Sequence, residues 1–124
     1  MTADPYSNRV RALFADPRHA GCVDGGISAR VEDQGVSICL CARAEAGALQ
    51  ALRFRAWACP HVIAACEAFC EAFEGRGVAD LLEFDAGDLM QSLSVPVEKT
   101  GRILVLEDAV RALGTSLRNS AKQN

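Results

Sequence analysis

The 124-residue chain has only two histidines, no Cys-x-x-Cys pair and no glycine-rich phosphate loop. These absences point away from ordinary hydrolases and oxidoreductases and leave a non-enzymatic role as the expectation. A basic block is also missing: 13 Lys and Arg are interspersed with 16 Asp and Glu for a net charge of -3, which gives no electrostatic footprint for nucleic acid or anionic lipid. No apolar stretch is long enough to span a bilayer, and Met1 to Pro5 carry no basic segment leading into an apolar one, so neither a membrane nor export is indicated and a cytoplasmic location is expected. With no internal repeat, low-complexity tract or linker, residues 1–124 are read as one domain.

What is present is apolar residue and cysteine. A hydrophobic content of 50% is ample for one core at this length. Six cysteines in a reducing compartment are thiols or metal ligands rather than a disulfide framework.

Helical spacing of Tyr6, Val10, Leu13 and Phe14 behind Pro5 predicts a first helix, stopped at Asp16-Pro17. After a turn-rich segment, Ile27, Ala29 and Val31 alternate with Ser28, Arg30 and Glu32, as in a strand. Asp33-Gln34-Gly35 reads as a tight hairpin into a second strand, Val36 to Arg43, and a turn at Ala46-Gly47 leads to a third, Leu49 to Trp57. Behind Pro60, the stripe Val62, Ile63, Cys66, Phe69, Cys70 and Phe73 predicts a helix ending at Gly75-Arg76-Gly77. Shorter helices are expected at Ala79 to Leu82 and Asp85 to Leu93, then extended chain at Val95-Pro96-Val97. A final helix carries Ile103, Leu106, Val110, Leu113 and Leu117 before a polar tail, Asn119 to Asn124. The order predicts an α+β fold: a small three-stranded antiparallel sheet with helices packed on one face.

Three blocks resemble the NifU/IscU-type iron–sulfur cluster assembly scaffolds. They are Tyr6-Ser7 with Pro17-Arg18-His19-Ala20-Gly21; Arg53-Phe54-Arg55-Ala56-Trp57-Ala58-Cys59 with Ile63-Ala64-Ala65; and Pro96-Val97-Glu98-Lys99 with Ile103-Leu104 and Glu107-Asp108-Ala109. The resemblance covers nearly the whole chain. It implies a cluster held by three cysteines and a histidine or aspartate on three converging loops.

Matched to that pattern, the first cysteine falls nearest Asp33, its neighbouring aspartate near Gly35, and the histidine-cysteine pair within Thr100-Gly101-Arg102, so most ligands are missing. The loop of the first cysteine is reduced to a hairpin. Cys59 alone stays in place, with His61 as an auxiliary metal-ligand candidate and Asp33 as a third. A cysteine opening a helix sits where backbone N–H groups and the macrodipole favour negative charge, and Arg53 or Arg55 is expected to add to it. Cys66, seven residues on, lies roughly 10 Å farther along the helix and cannot share a mononuclear site with Cys59. Cys66 and Cys70 read as core, and Cys22 reaches Cys59 only if its loop folds toward the sheet end.

The resemblance also places Cys39 and Cys41 on the strand face covered by helices. Val36, Ile38, Leu40 and Ala42 then form an apolar open sheet face that predicts a homodimer or a partner contact. Iron or an iron–sulfur cluster is the implied cargo, and its absence fits the ligand losses equally well. Implied partners are a cysteine desulfurase or other cluster-assembly proteins, with Pro96, Val97 and Lys99 matching a partner-binding segment. The functional expectation is a scaffold- or carrier-like protein binding iron or cluster partially through Cys59. The alternatives are an interaction partner of the desulfurase machinery that binds no cluster, and a sulfur acceptor that forms a persulfide at Cys59.

Overall fold

The structure is a computed structural model that describes residues 6–122. Helix α1 spans Asn8–Ala15, and the expected start at Pro5 lies outside the described residues. Ser7 is its N-cap: the hydroxyl accepts from Val10 N at 3.2 Å and donates to Leu93 O at 3.1 Å, tying the helix start to a distant segment.

Strands β1 (Ile27–Asp33), β2 (Val36–Glu45) and β3 (Ala48–Trp57) form an antiparallel sheet in the order β1-β2-β3. Both hairpin loops are two residues long with positive φ at each, 53° and 71° at Gln34-Gly35 and 53° and 79° at Ala46-Gly47. Such turns match the right-handed strand twist, which is why glycine sits second in each. Beyond β3 the sheet edge continues through His19 to Gly21: Phe54 N donates to His19 O at 3.0 Å, and Gly21 N to Phe54 O at 2.8 Å.

The remaining elements are α2 (Pro60–Phe73), α3 (Val78–Leu82), α4 (Gly87–Ser92), a 3₁₀ turn (Val97–Lys99) and α5 (Thr100–Lys122). α5 packs across β1 and β2, α2 across β3, and α1 against α2. The core between sheet and helices includes Ile38, Leu40, Leu52, Phe69, Ile103 and Leu106, all essentially inaccessible. Residues 119–122, expected as a polar tail, are helical, because neither glycine nor proline follows Gly114 to end α5.

The assignment of sheet faces is the reverse of the expectation. Val36, Ile38, Leu40 and Ala42 point into the helices at 4%, 0%, 0% and 0% exposure, whereas Cys39 and Cys41 lie half-buried on the outer face. Cross-strand partners decide this. Ile38 sits between Val31 and Ala56, and Leu40 between Ala29 and Phe54. Cys39 sits between Arg30 and Arg55, and Cys41 between Ser28 and Arg53, so turning that face inward would bury arginines. Val36, Ile38 and Leu40 therefore fill the protein's own core and offer no surface for a homodimer.

Candidate functional site

Cys59 is the N-cap of α2, with Pro60 at the first helical position. Its carbonyl accepts from Val62 N and Ile63 N, both at 3.1 Å, while its side chain caps no backbone N–H. The thiol is half-buried and opens on a cleft of about 510 Å³ lined by Phe14, Gln34, Trp57, Ile63 and Arg102.

Four segments meet there: the end of α1, the β1–β2 turn, the β3–α2 junction and the first turn of α5. Their closeness is visible at Gly101, where an added Cβ would stand 3.6 Å from Gln34 Oε1. Of the segments matched in sequence to missing ligands, Gln34, Gly35 and Arg102 line the cleft with Cys59 while Asp33 does not, so around Cys59 they supply an amide and a guanidinium. Arg102, not Arg53 or Arg55, brings positive charge to the cleft. Arg53 Nη1 pairs with Glu74 Oε2 at 2.7 Å, and Arg55 Nη2 donates to Cys22 Sγ at 3.3 Å.

Two other sequence candidates are engaged elsewhere. The Asp33 carboxylate accepts from Gln34 N at 2.8 Å and so serves the hairpin turn. His61 is 2% exposed with its ring 4.7 Å from that of Tyr6, facing the interior rather than standing beside Cys59. Val97, by contrast, is 87% exposed in the 3₁₀ turn that Pro96 caps and Lys99 ends, directly before α5. Cys66 and Cys70 are fully buried in α2, and burial pushes both thiols well above the ordinary cysteine range, which leaves them inert.

Among the described residues, no group of three or more His, Cys, Asp and Glu stands close enough to hold a metal ion. Protein-bound iron–sulfur clusters are held mainly by several thiolates. One thiol with an amide and a guanidinium does not fit such a cluster within a single chain.

A polar network unsignalled in sequence joins α2 to the sheet edge. Glu67, wholly buried, accepts from His19 N at 2.7 Å and meets His19 Nδ1 at 2.5 Å. His19 Nε2 lies 3.4 Å from Glu74 Oε1, and Glu74 Oε2 accepts from Leu52 N at 2.8 Å. These contacts fix the turn before Gly21 against the helix that Cys59 opens.

The family model described as the NifU-like N-terminal domain matches residues 5–119. Among solved structures, one similar chain is described as an iron–sulfur cluster assembly scaffold protein for the SUF system from Fervidobacterium islandicum AW-1. It superimposes with a TM-score of 0.72 at 11% identity, over 87% of this chain and 95% of that one. Another is a NifU-like protein (N-terminal) from Brucella abortus, with a TM-score of 0.72 at 14% identity, over 91% of this chain and 94% of that one. No curated protein matches the sequence.

Proposed function

The chain belongs to the NifU-like N-terminal domain family, and from that premise we propose that it is a scaffold- or carrier-like component of iron–sulfur cluster assembly whose Cys59 carries sulfur rather than a whole cluster. The observation that carries this reading is the content of the Cys59 cleft: one uncommitted thiol at a helix start, beside Arg102, where a cluster would require several thiolates.

A lone thiol can still accept sulfur. The Cys59 thiolate attacks the terminal sulfur of a donor persulfide such as that formed on a cysteine desulfurase. The donor S–S bond breaks, its electron pair leaves with the donor thiolate, and the terminal sulfur with its proton becomes the persulfide of Cys59. Arg102 then faces the negative charge when that persulfide ionises. The role is one of carrying, with no turnover of a small substrate.

The test is mass spectrometry after incubation with a cysteine desulfurase and cysteine. The intact chain gains the mass of one sulfur atom, and Cys59→Ser gains none. An unchanged mass in the wild type, or equal gain in Cys59→Ser, rejects the reading. A second reading, docking onto the assembly machinery without sulfur cargo, is favoured by the exposure of Trp57 at 81% and Val97 at 87%. It predicts that capture of the desulfurase survives Cys59→Ser while the added mass stays absent in both proteins.

A further inference from the structure

The outer sheet face holds a second pair of thiols away from the Cys59 cleft. Cys39 and Cys41 are two apart on β2, so both side chains leave the same face, and both remain half-buried between arginine-bearing strands. Arg30 and Arg55 stand opposite Cys39 on the neighbouring strands, while burial and then the adjacent Cys41 hold the Cys39 thiol above the ordinary cysteine range. We propose that Cys39 and Cys41 form a binding site for one soft monovalent cation, such as Cu(I), held between two thiolates.

Spacing separates this from a disulfide. Same-face neighbours on a strand stand about 6.6 Å apart. A disulfide needs Cβ atoms within about 3.5–4.5 Å, so direct S–S closure would require the strand to buckle. A metal adds two bonds of about 2.3 Å, the length of zinc–thiolate bonds, and so spans the extra distance with the strand left intact.

Ligand number then selects the ion. Structural zinc takes four ligands, and iron–sulfur clusters are held mainly by several thiolates. Among the described residues no third His, Cys, Asp or Glu joins this pair at metal-binding distance, and the nearby Cys22 Sγ already accepts from Arg55. Two thiolates alone suit a soft, closed-shell monovalent ion, which accepts two-coordinate geometry. Charge agrees with that choice. Two thiolates and a monovalent cation leave one net negative charge, on a face where Arg30, Arg43 and Arg55 outnumber Glu32 and Glu45. Binding releases two thiol protons to solvent, forms two metal–sulfur bonds and transfers no electron.

The experiment is an anaerobic titration of the full chain with Ag(I), which is redox-inert, and with Cu(I) against a competing chelator. Near-ultraviolet sulfur-to-metal absorbance is followed, and circular dichroism verifies the fold of each variant. One equivalent per chain is expected to resist the chelator in the wild type, Cys22→Ser and Cys59→Ser. At least a tenfold loss of affinity is expected in Cys39→Ser and in Cys41→Ser, with the alanine variants giving the same loss. Unchanged binding in the Cys39 and Cys41 variants overturns the proposal, as does a loss confined to Cys59→Ser. The second result would assign the metal to the Cys59 cleft, so this site and the proposed sulfur cargo are judged separately.

Discussion

The carboxylate of Glu74 accepts from Leu52 N at 2.8 Å and from Arg53 at 2.7 Å, with His19 Nε2 at 3.4 Å from its other oxygen. Burial works against its charged form most strongly, yet the Leu52 N–H, Arg53 and His19 together outweigh burial and hold its pKa below the ordinary value. A carboxyl with a folded pKa below its unfolded one stabilises the fold above the unfolded value, and the contribution fades as pH falls through the folded value. Glu74→Gln should therefore cost about 1 kcal/mol in urea unfolding at neutral pH, a modest figure because the site is partly solvated. The gap to wild type should close below about pH 4, beginning near the unfolded glutamate value. A gap that widens on acidification would contradict the assignment. At this scale the sequence was partly legible. Cys59 stood out because a thiol precedes Pro60 at a helix start. His61 misled because two residues of helix turn a side chain by about 200°, carrying it from the cleft to the ring of Tyr6.

Strand β2 shows what an element conceals when read alone. It is apolar on both faces, so its own alternation cannot say which side is inward, and the arginines and apolar residues of β1 and β3 carry the decision through their register. Most other elements were legible, since their periodicity and their glycine and proline stops are local signals. The contact of α3 with α5 is not a local signal. At Gly114 in α5 an added Cβ would meet Leu81 Cβ at 3.0 Å and Leu82 Cδ2 at 3.1 Å, and Leu81 is fully buried at the base of its side chain. Alanine is the better helix former by about 1 kcal/mol, but here overpacking against a fixed Cβ dominates. Gly114→Ala should lower stability by about 1–2 kcal/mol. Gly101→Ala, whose nearest neighbour would be Gln34 at an ordinary 3.6 Å, should be neutral or slightly stabilising. Thermal melts of the two variants decide it: a higher midpoint for Gly114→Ala would mean that α3 can shift away from α5.

Across the whole molecule, the residues that hold the fold and those that frame the cleft are largely separate sets. Among the described residues, four large apolar side chains stay on the surface, Phe14 at 44%, Trp57 at 81%, Val97 at 87% and Leu104 at 39% exposure. Phe14 and Trp57 line the Cys59 cleft, and Val97 lies in the turn that leads into the α5 segment bearing Arg102. The shared exposure of Phe14 and Trp57 at the Cys59 cleft is more readily explained by partner contact than by folding, since the core is complete without it. The sequence marked Val97 through the partner segment but not Trp57, whose position beside Cys59 on the rim only the strand end and helix start together define. Under the proposed function this surface receives the sulfur donor. Trp57→Ala should change unfolding stability by less than about 0.5 kcal/mol, because little of the ring is buried. It should slow single-turnover sulfur transfer onto Cys59 by about 30-fold at limiting donor, the loss of about 2 kcal/mol typical of an aromatic interface anchor. Transfer at the wild-type rate, with stability equally unchanged, would move the donor's docking surface away from this end of the sheet and leave Trp57 without a role in the reaction.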